Sequence, residues 1–202
     1  MDAFEAPLLS SGIRFICGVD EVGRGPLAGP VVAGAVILNP ADPIDGIDDS
    51  KKLSAKARER LASEIKNRSL AWATAYVLEA EIDEINIYQA SRKAMILAIE
   101  KLGIRPEHIL SDAMPLPGYG IPYTAIIHGD ALSASIGAAS IVAKVERDAF
   151  MVRMDALYPG YGFAKNKGYP TPAHLDALTR LGVCPIHRRS YEPVRAVSQR
   201  QT

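Results

Sequence analysis

Four acidic residues in this chain sit where a carboxylate is costly. Asp20, followed directly by Glu21, closes the apolar run RFICGVD; Asp112 closes HILSD; Asp130 closes YTAIIHGD. An acid ending a buried strand lowers stability unless it is paired or coordinated. If the three strands are neighbours in one sheet, their ends share a rim and the four carboxylates converge there. Gathered carboxylates repel and raise one another's pKa unless cations sit among them. With oxygen the only donor type and no companion Cys or His set, these residues suit Mg²⁺ or Mn²⁺ rather than zinc. Two such ions about 3.5–4 Å apart can orient and deprotonate a water and stabilise the leaving oxygen of a phosphodiester. The chemistry expected is phosphodiester hydrolysis.

Taken singly, two of these acids have plainer uses. Asp130 could cap a helix beginning at Ala131, and Asp112 could open the turn into AMPLPG. Consecutive strand residues also face opposite ways, so Asp20 and Glu21 serve one site only if the chain bends there, which the following Gly23 and Gly25 allow. Gly23, Gly25 and Ala28 match the spacing of a dinucleotide fingerprint, but that motif must open a helix. Here Pro26 and Pro30 lead instead into the β-branched run VVAGAVIL.

The elements that must position these acids are legible from pattern. Arg14–Asp20, Pro30–Leu38 and Leu70–Leu78 have strand composition. Ser54 stands as an N-cap before AKARERLASEIKNR, a surface helix with Ala57, Leu61 and Ile65 on its apolar side. INIYQASRKAMILAIEKLG reads as a helix stopping at Gly103, and the small-residue segment ALSASIGAASIVAKVERDAFMVRMDALYPG as a closely packing helix ended by Pro159 and Gly160. A short helix capped near Thr171 and a basic extended end follow. Strands first, then strand and helix alternating, predict an α/β protein with a mixed central sheet flanked by helices.

The chain has 202 residues, 48% of them hydrophobic, enough for one core. The expected organisation is a single catalytic domain over 1–202, with a core at about 14–160 and a basic, small helical C-terminal extension over about 161–202. Formal net charge is zero, unlike a protein that coats nucleic acid by its global field. The average conceals a gradient: from Gly160 onward seven Lys or Arg face two acids, a net of +5, leaving −5 on the remainder. That gradient suits a polyanionic ligand met by basic groups at one place and by metal ions at another. Cys17 lies within an apolar strand, where a free thiol packs as a small hydrophobe, so a reduced, cytoplasmic chain is expected. The start MDAFEAPLLSSG has no basic flank or long apolar core, and no membrane association is expected.

Read together, GVDEVGRGPLAGPVVAGAVIL, DDSKKLS, HGDALSASIGAASIVAKVERD, YPGYGFAKNKGYPTPAHLDAL and PIHRRSYEPV closely resemble the bacterial ribonuclease HII family, from about Cys17 to Val194. The resemblance implies a ribonuclease H-like fold. It also implies cleavage of the RNA strand of RNA/DNA hybrids and of DNA duplexes containing ribonucleotides. The cut falls 5′ of the ribonucleotide and leaves a 3′-hydroxyl and a 5′-phosphate. Carried over by position, two divalent ions, Mn²⁺ or Mg²⁺, fall on Asp20, Glu21, Asp112 and Asp130. The glycine-arginine-glycine motif falls on Gly23, Arg24 and Gly25, where backbone groups approach the ribose 2′-hydroxyl, and Tyr169 packs against sugar and base at the RNA-to-DNA junction.

Ser50, Lys51 and Lys52 are further candidates for phosphate contact, as are His187 and Arg188 for substrate contact or for ordering the tail. Lys144 is expected to pair with Asp148 at helical spacing. Three positions depart from the family pattern: His128 and Leu132, where lysine is common, and Ala113, where glycine is. The alternatives are a ribonuclease HIII-like hybrid nuclease and a non-catalytic hybrid-binding module. A monomer is expected, and no protein partner is inferable from the end AVSQRQT.

Overall fold

Two runs of small and β-branched residues form the centre of the sheet. β1 (Ile16–Val22) and β2 (Val31–Ile37) pair antiparallel, with Cys17 opposite Ile37 and Asp20 opposite Gly34. Every residue of β2 is buried, which its unbroken apolar sequence requires. The computed structural model describes residues 3–199, so the last three residues of AVSQRQT lie outside the described part. β3 (Ala71–Val77) joins β2 antiparallel; β4 (His108–Asp112) and β5 (Tyr123–Ile126) extend the other side in parallel, giving the order β3-β2-β1-β4-β5. This is the mixed sheet expected of an α/β protein.

Strand alternation assigns the two faces. Cys17, Val19, Ala33, Ala35 and Ile37 pack with Ala90, Ala94, Met95 and Ala98 of α3 (Glu79–Glu100). On the opposite face Val36 packs with Leu61 and Ile65 of α2 (Ala55–Arg68) and with Ala138, Ala139 and Val142 of α5 (Ala134–Leu157). Two glycines let α5 lie directly on the sheet: an added Cβ would come within 2.0 Å of the Ser135 carbonyl carbon at Gly18 and within 2.3 Å of the Ala139 oxygen at Gly34. The tail packs beyond the sheet, Tyr161, Phe163, Cys184 and Ile186 clustering with Ala28 and Met151.

Several expected boundaries shift. Ser54 and Thr171 cap α2 and α7 (Pro172–Leu181) as expected, each accepting a backbone N–H. Asp130, by contrast, does not cap α5: the Ser133 hydroxyl accepts from the Ile136 amide, and Asp130 lies in a separate turn, α4 (Gly129–Leu132). α3 begins at Glu79 and is kinked at Asn86 (φ +67°), whose Oδ1 accepts from the Tyr88 and Gln89 amides. Asn86 thus caps the second half, the part the sequence pattern shows. The tail adds α6 (Phe163–Asn166) and ends not extended but in α8 (Glu192–Ser198), and α1 (Glu5–Ser10) precedes the sheet unexpectedly. Both cysteines are free and buried, and no helix among the described residues is long and apolar enough to cross a membrane.

Candidate active site

Three aspartates from distant parts of the chain meet at one edge of the sheet. Asp20, Asp112 and Asp130 each offer a carboxylate oxygen within 4.8 Å of the others. β1 carries Asp20 on the face toward α5, where Gly18 also points, and Asp20 is buried there. Parallel pairing of β4 with β1 brings Asp112 alongside at the end of its strand. Asp130 arrives differently from the expected strand end. β5 stops at Ile126; Ile127 is exposed, His128 turns the chain at φ +58°, and Asp130 falls in the first turn of α4. The Gly129 amide donates to Asp112 Oδ1 at 2.8 Å and fastens that turn to β4.

Glu21 is placed apart. β1 runs regularly to Val22 with no bend at 20–21, so Glu21 faces away from Asp20, and it is not one of the three clustered acids. The bend comes later, at Gly23 (φ +94°). Glu21 nevertheless lines the same cavity of about 340 Å³ as Asp20, Asp112, Gly23, Arg24, Gly25, Ser50, Lys51 and Tyr169. Its Oε1 accepts from Arg24 at 3.3 Å, while its Oε2 is buried without a partner.

Burial, then the charges of Glu21 and Asp112, pushes the Asp20 carboxyl well above the usual range, with a Ser140 hydroxyl partly offsetting them. Burial likewise raises Glu21 to about 7 against the pull of Arg24, and raises Asp112 against the Gly129 amide. Beside Arg24 on Glu21, the cation at the aspartates is Lys51, 3.4 Å from Asp130 with its side chain 80% exposed. A pair so exposed contributes little. The acids therefore carry a repulsion that a bound cation would relieve.

The remaining expected residues separate into those at the cavity and those away from it. Gly25 and Tyr169 are neighbours in the cavity lining: a Cβ on Gly25 would lie 3.6 Å from Tyr169 Cε1, in ordinary contact with the ring. Gly23 is required for a second reason, since its Cβ would strike Arg147 Nε at 2.1 Å. Ser50 is buried and shares a hydrogen bond with Ser140 at 3.0 Å, so its hydroxyl is already engaged. Lys52 is exposed and pairs with Asp48, and Lys144 pairs with Asp148 as expected while its side chain lines the cavity. Of the two roles expected for His187 and Arg188, substrate contact or ordering of the tail, their placement suits the second: both are buried, Arg188 fully, and Arg188 donates to the carbonyls of Gly23, Arg24 and Gly29. Sequence reading missed Ser140 and Arg147; Arg147, in the charged part of α5, is fully buried.

The sequence model of the family described as Ribonuclease HII matches residues 17–194. The chain belongs to the ribonuclease HII family. Ribonuclease HII of Moorella thermoacetica is 56% identical over 190 residues, covering 94% of this chain and 92% of that one. The Anaeromyxobacter sp. protein is 54% identical over 95% of this chain, which spans only 61% of its length. Among solved structures, ribonuclease H2 of Pyrococcus horikoshii OT3 superposes with a TM-score of 0.78 at 28% identity over 92% of this chain and 97% of that one. The ribonuclease HII of Archaeoglobus fulgidus, solved in complex with PCNA, gives 0.77 at 26% over 90% and 96%. Ribonuclease HII is an endonuclease family.

Two of the positions expected to depart from the family pattern carry backbone strain beside the acids. Ala113 holds φ +50° directly after Asp112, and His128 holds φ +58° two residues before Asp130. An L-residue in that region costs about 1–2 kcal/mol, which glycine escapes at the expense of unfolded-state entropy. Ala113→Gly is therefore expected to stabilise the protein by roughly 0.5–1 kcal/mol, read as a higher urea midpoint at unchanged slope.

Proposed function

We propose that this chain is a metal-dependent endoribonuclease. It would cut the RNA strand of RNA/DNA hybrids and, in duplex DNA, the 5′ side of an embedded ribonucleotide, leaving a 3′-hydroxyl and a 5′-phosphate. The observation that carries this reading is the meeting of Asp20, Asp112 and Asp130 within 4.8 Å, with Asp20 and Asp112 lining the same cavity as Gly23, Arg24, Gly25 and Tyr169.

The donor set fits hard divalent ions: oxygen only, mutually repelling, with the Glu21 Oε2 buried and unpartnered beside it. Asp20, Asp112, Asp130 and Glu21 would hold the ions, Mg²⁺ or Mn²⁺, expected as a pair. When bound, such ions supply an activated water and charge stabilisation at the scissile phosphate. The chain's own groups do the rest. Gly129 holds Asp112 in place through its amide. Gly25 and the Tyr169 ring lie side by side in the cavity lining, so backbone amides and an aromatic face bound the same slot, against which a sugar edge would rest. The 2′-hydroxyl is the group that separates RNA from DNA at such a slot. Lys51 and Lys144, at the cavity edge, and the basic tail would meet backbone phosphates, so affinity should fall as salt rises.

We further place the protein in the cytoplasm, a reading supported by its two free buried thiols, and take it to act as a monomer. A ribonuclease HIII assignment is disfavoured: a solved ribonuclease HIII superposes with a TM-score of 0.71 but at 17% identity, a likeness of fold alone. The test is a DNA duplex with one ribonucleotide, incubated with Mn²⁺ or Mg²⁺. Cleavage 5′ of that ribonucleotide, with none in the all-DNA duplex, supports the proposal; binding without cleavage would make the chain a hybrid-binding module instead.

A further inference from the structure

Arg188 is fully buried and forms no ion pair among the described residues. A guanidinium in that setting is costly unless its donors are met. They are met almost entirely by backbone carbonyls. Nη2 donates to Gly23 O at 2.6 Å, Nη1 to Arg24 O at 2.9 Å, and Nε and Nη2 to Gly29 O at 2.9 and 2.8 Å. Nη1 also reaches the Tyr191 hydroxyl at 3.0 Å, which itself donates to Arg24 O at 2.6 Å. A trans peptide points its C=O and N–H in opposite directions. Carbonyls of Gly23 and Arg24 drawn inward therefore turn the amides of Arg24 and Gly25 outward, where neither has a protein acceptor among the described residues.

The neighbouring residue reaches the aromatic face of the slot. His174 Nδ1 lies 2.8 Å from the Tyr169 carbonyl, which can only accept, so that nitrogen carries the hydrogen. With His174 neutral its Nε2 accepts, and His187 Nε2, 3.1 Å away, donates. His187 Nδ1 is then left to accept from the Cys184 amide at 3.0 Å. Burial, then the neighbouring His174, lowers His187 to about 4, consistent with two neutral rings in this one arrangement. The segment is itself fixed to the loop beyond Gly25: Gly29 N donates to Ile186 O at 2.9 Å and Arg188 N to Leu27 O at 2.8 Å.

We propose that His187 and Arg188 are positioning residues for the ribose-reading slot. Arg188 aims the Arg24 and Gly25 amides from behind, and His187 fixes Tyr169 through His174. This rests on the slot reading given under the proposed function. Two adjacent residues of the tail thus set the width and the donor direction of a slot whose walls are about 145 residues apart in sequence.

The experiment measures KM and kcat of the Mn²⁺-loaded protein on a duplex with one ribonucleotide, and by competition its preference for that duplex over the all-DNA one. Tyr191→Phe removes one hydroxyl and should raise KM about threefold; Arg188→Lys, one ammonium in place of a fork, should raise it about tenfold. His187→Leu should raise KM and His187→Gln, which keeps a donor, should recover part of it. In each case kcat per folded molecule stays within about twofold and the preference falls in step with KM. Variants that lose thermal stability but keep KM and preference would overturn the proposal, and Tyr191→Phe decides it if Arg188→Lys does not fold. A parent protein with no preference for the ribonucleotide duplex would overturn the slot reading itself.

Discussion

Asp20→Asn should lower cleavage by roughly a thousandfold, about 4 kcal/mol of transition-state stabilisation, while raising the thermal midpoint of the metal-free protein. The two effects have one cause. Asp20 is buried among Glu21, Asp112 and Asp130, and its ionised form is held against burial and against like charge. An amide of the same shape removes that repulsion and, with it, a ligand for the cation that the repulsion calls for. Steady-state cleavage of a single-ribonucleotide duplex and a thermal scan in chelator together check the prediction. A variant that is both inactive and less stable would make Asp20 a structural residue.

Gly18→Ala should be the most damaging single change away from the acids. The new Cβ would fall 2.0 Å from the Ser135 carbonyl carbon, which is backbone and cannot turn aside. α5 must lift from the sheet or β1 must shift, at a cost of about 3 kcal/mol or more. Because Ser140 of α5 touches the Asp20 carboxyl, the same displacement disturbs the site. Urea unfolding and cleavage should therefore fall together. The same substitution at Gly103, where an added Cβ meets nothing within 4 Å and φ is ordinary, should leave both nearly unchanged.

Much of this arrangement was legible because its signals are local. The strands around Asp20 and Asp112 declare themselves by composition, Ser54 and Thr171 by capping chemistry, and the parallel placement of β4 beside β1 follows from alternating strand and helix. Asp130 was correctly grouped but wrongly placed, because Ile127 extends the apolar pattern of β5 one residue past where the strand ends; Ile127 is 72% exposed and pairs with nothing in the sheet. Glu21 was grouped with the aspartates on the expectation of a bend that the regular β1 ladder does not contain.

The burial of Arg188 and Arg147 was not legible. An arginine defaults to the surface, and what buries these two is a set of backbone carbonyls, most of them in the loop 23–30, up to 165 residues away in the chain. Short α8, with one apolar residue buried, has too little periodicity to distinguish from an extended tail.

The thermal shift produced by Mn²⁺ as a function of pH tests the gathering of the acids most directly. The folded-state pKa values of Asp20, Glu21 and Asp112 are all raised, Glu21 to about 7. Without metal, the stability contributed by these groups is present below their ordinary carboxylate range and is lost as pH rises through about 7. Metal must displace those protons, so the Mn²⁺ shift should be several degrees at pH 8, shrink at pH 6 and vanish in Asp20→Asn with Asp112→Asn. Comparing each pH with and without metal cancels every group remote from the site. A shift of the same size in the double variant, or one independent of pH, would contradict the account.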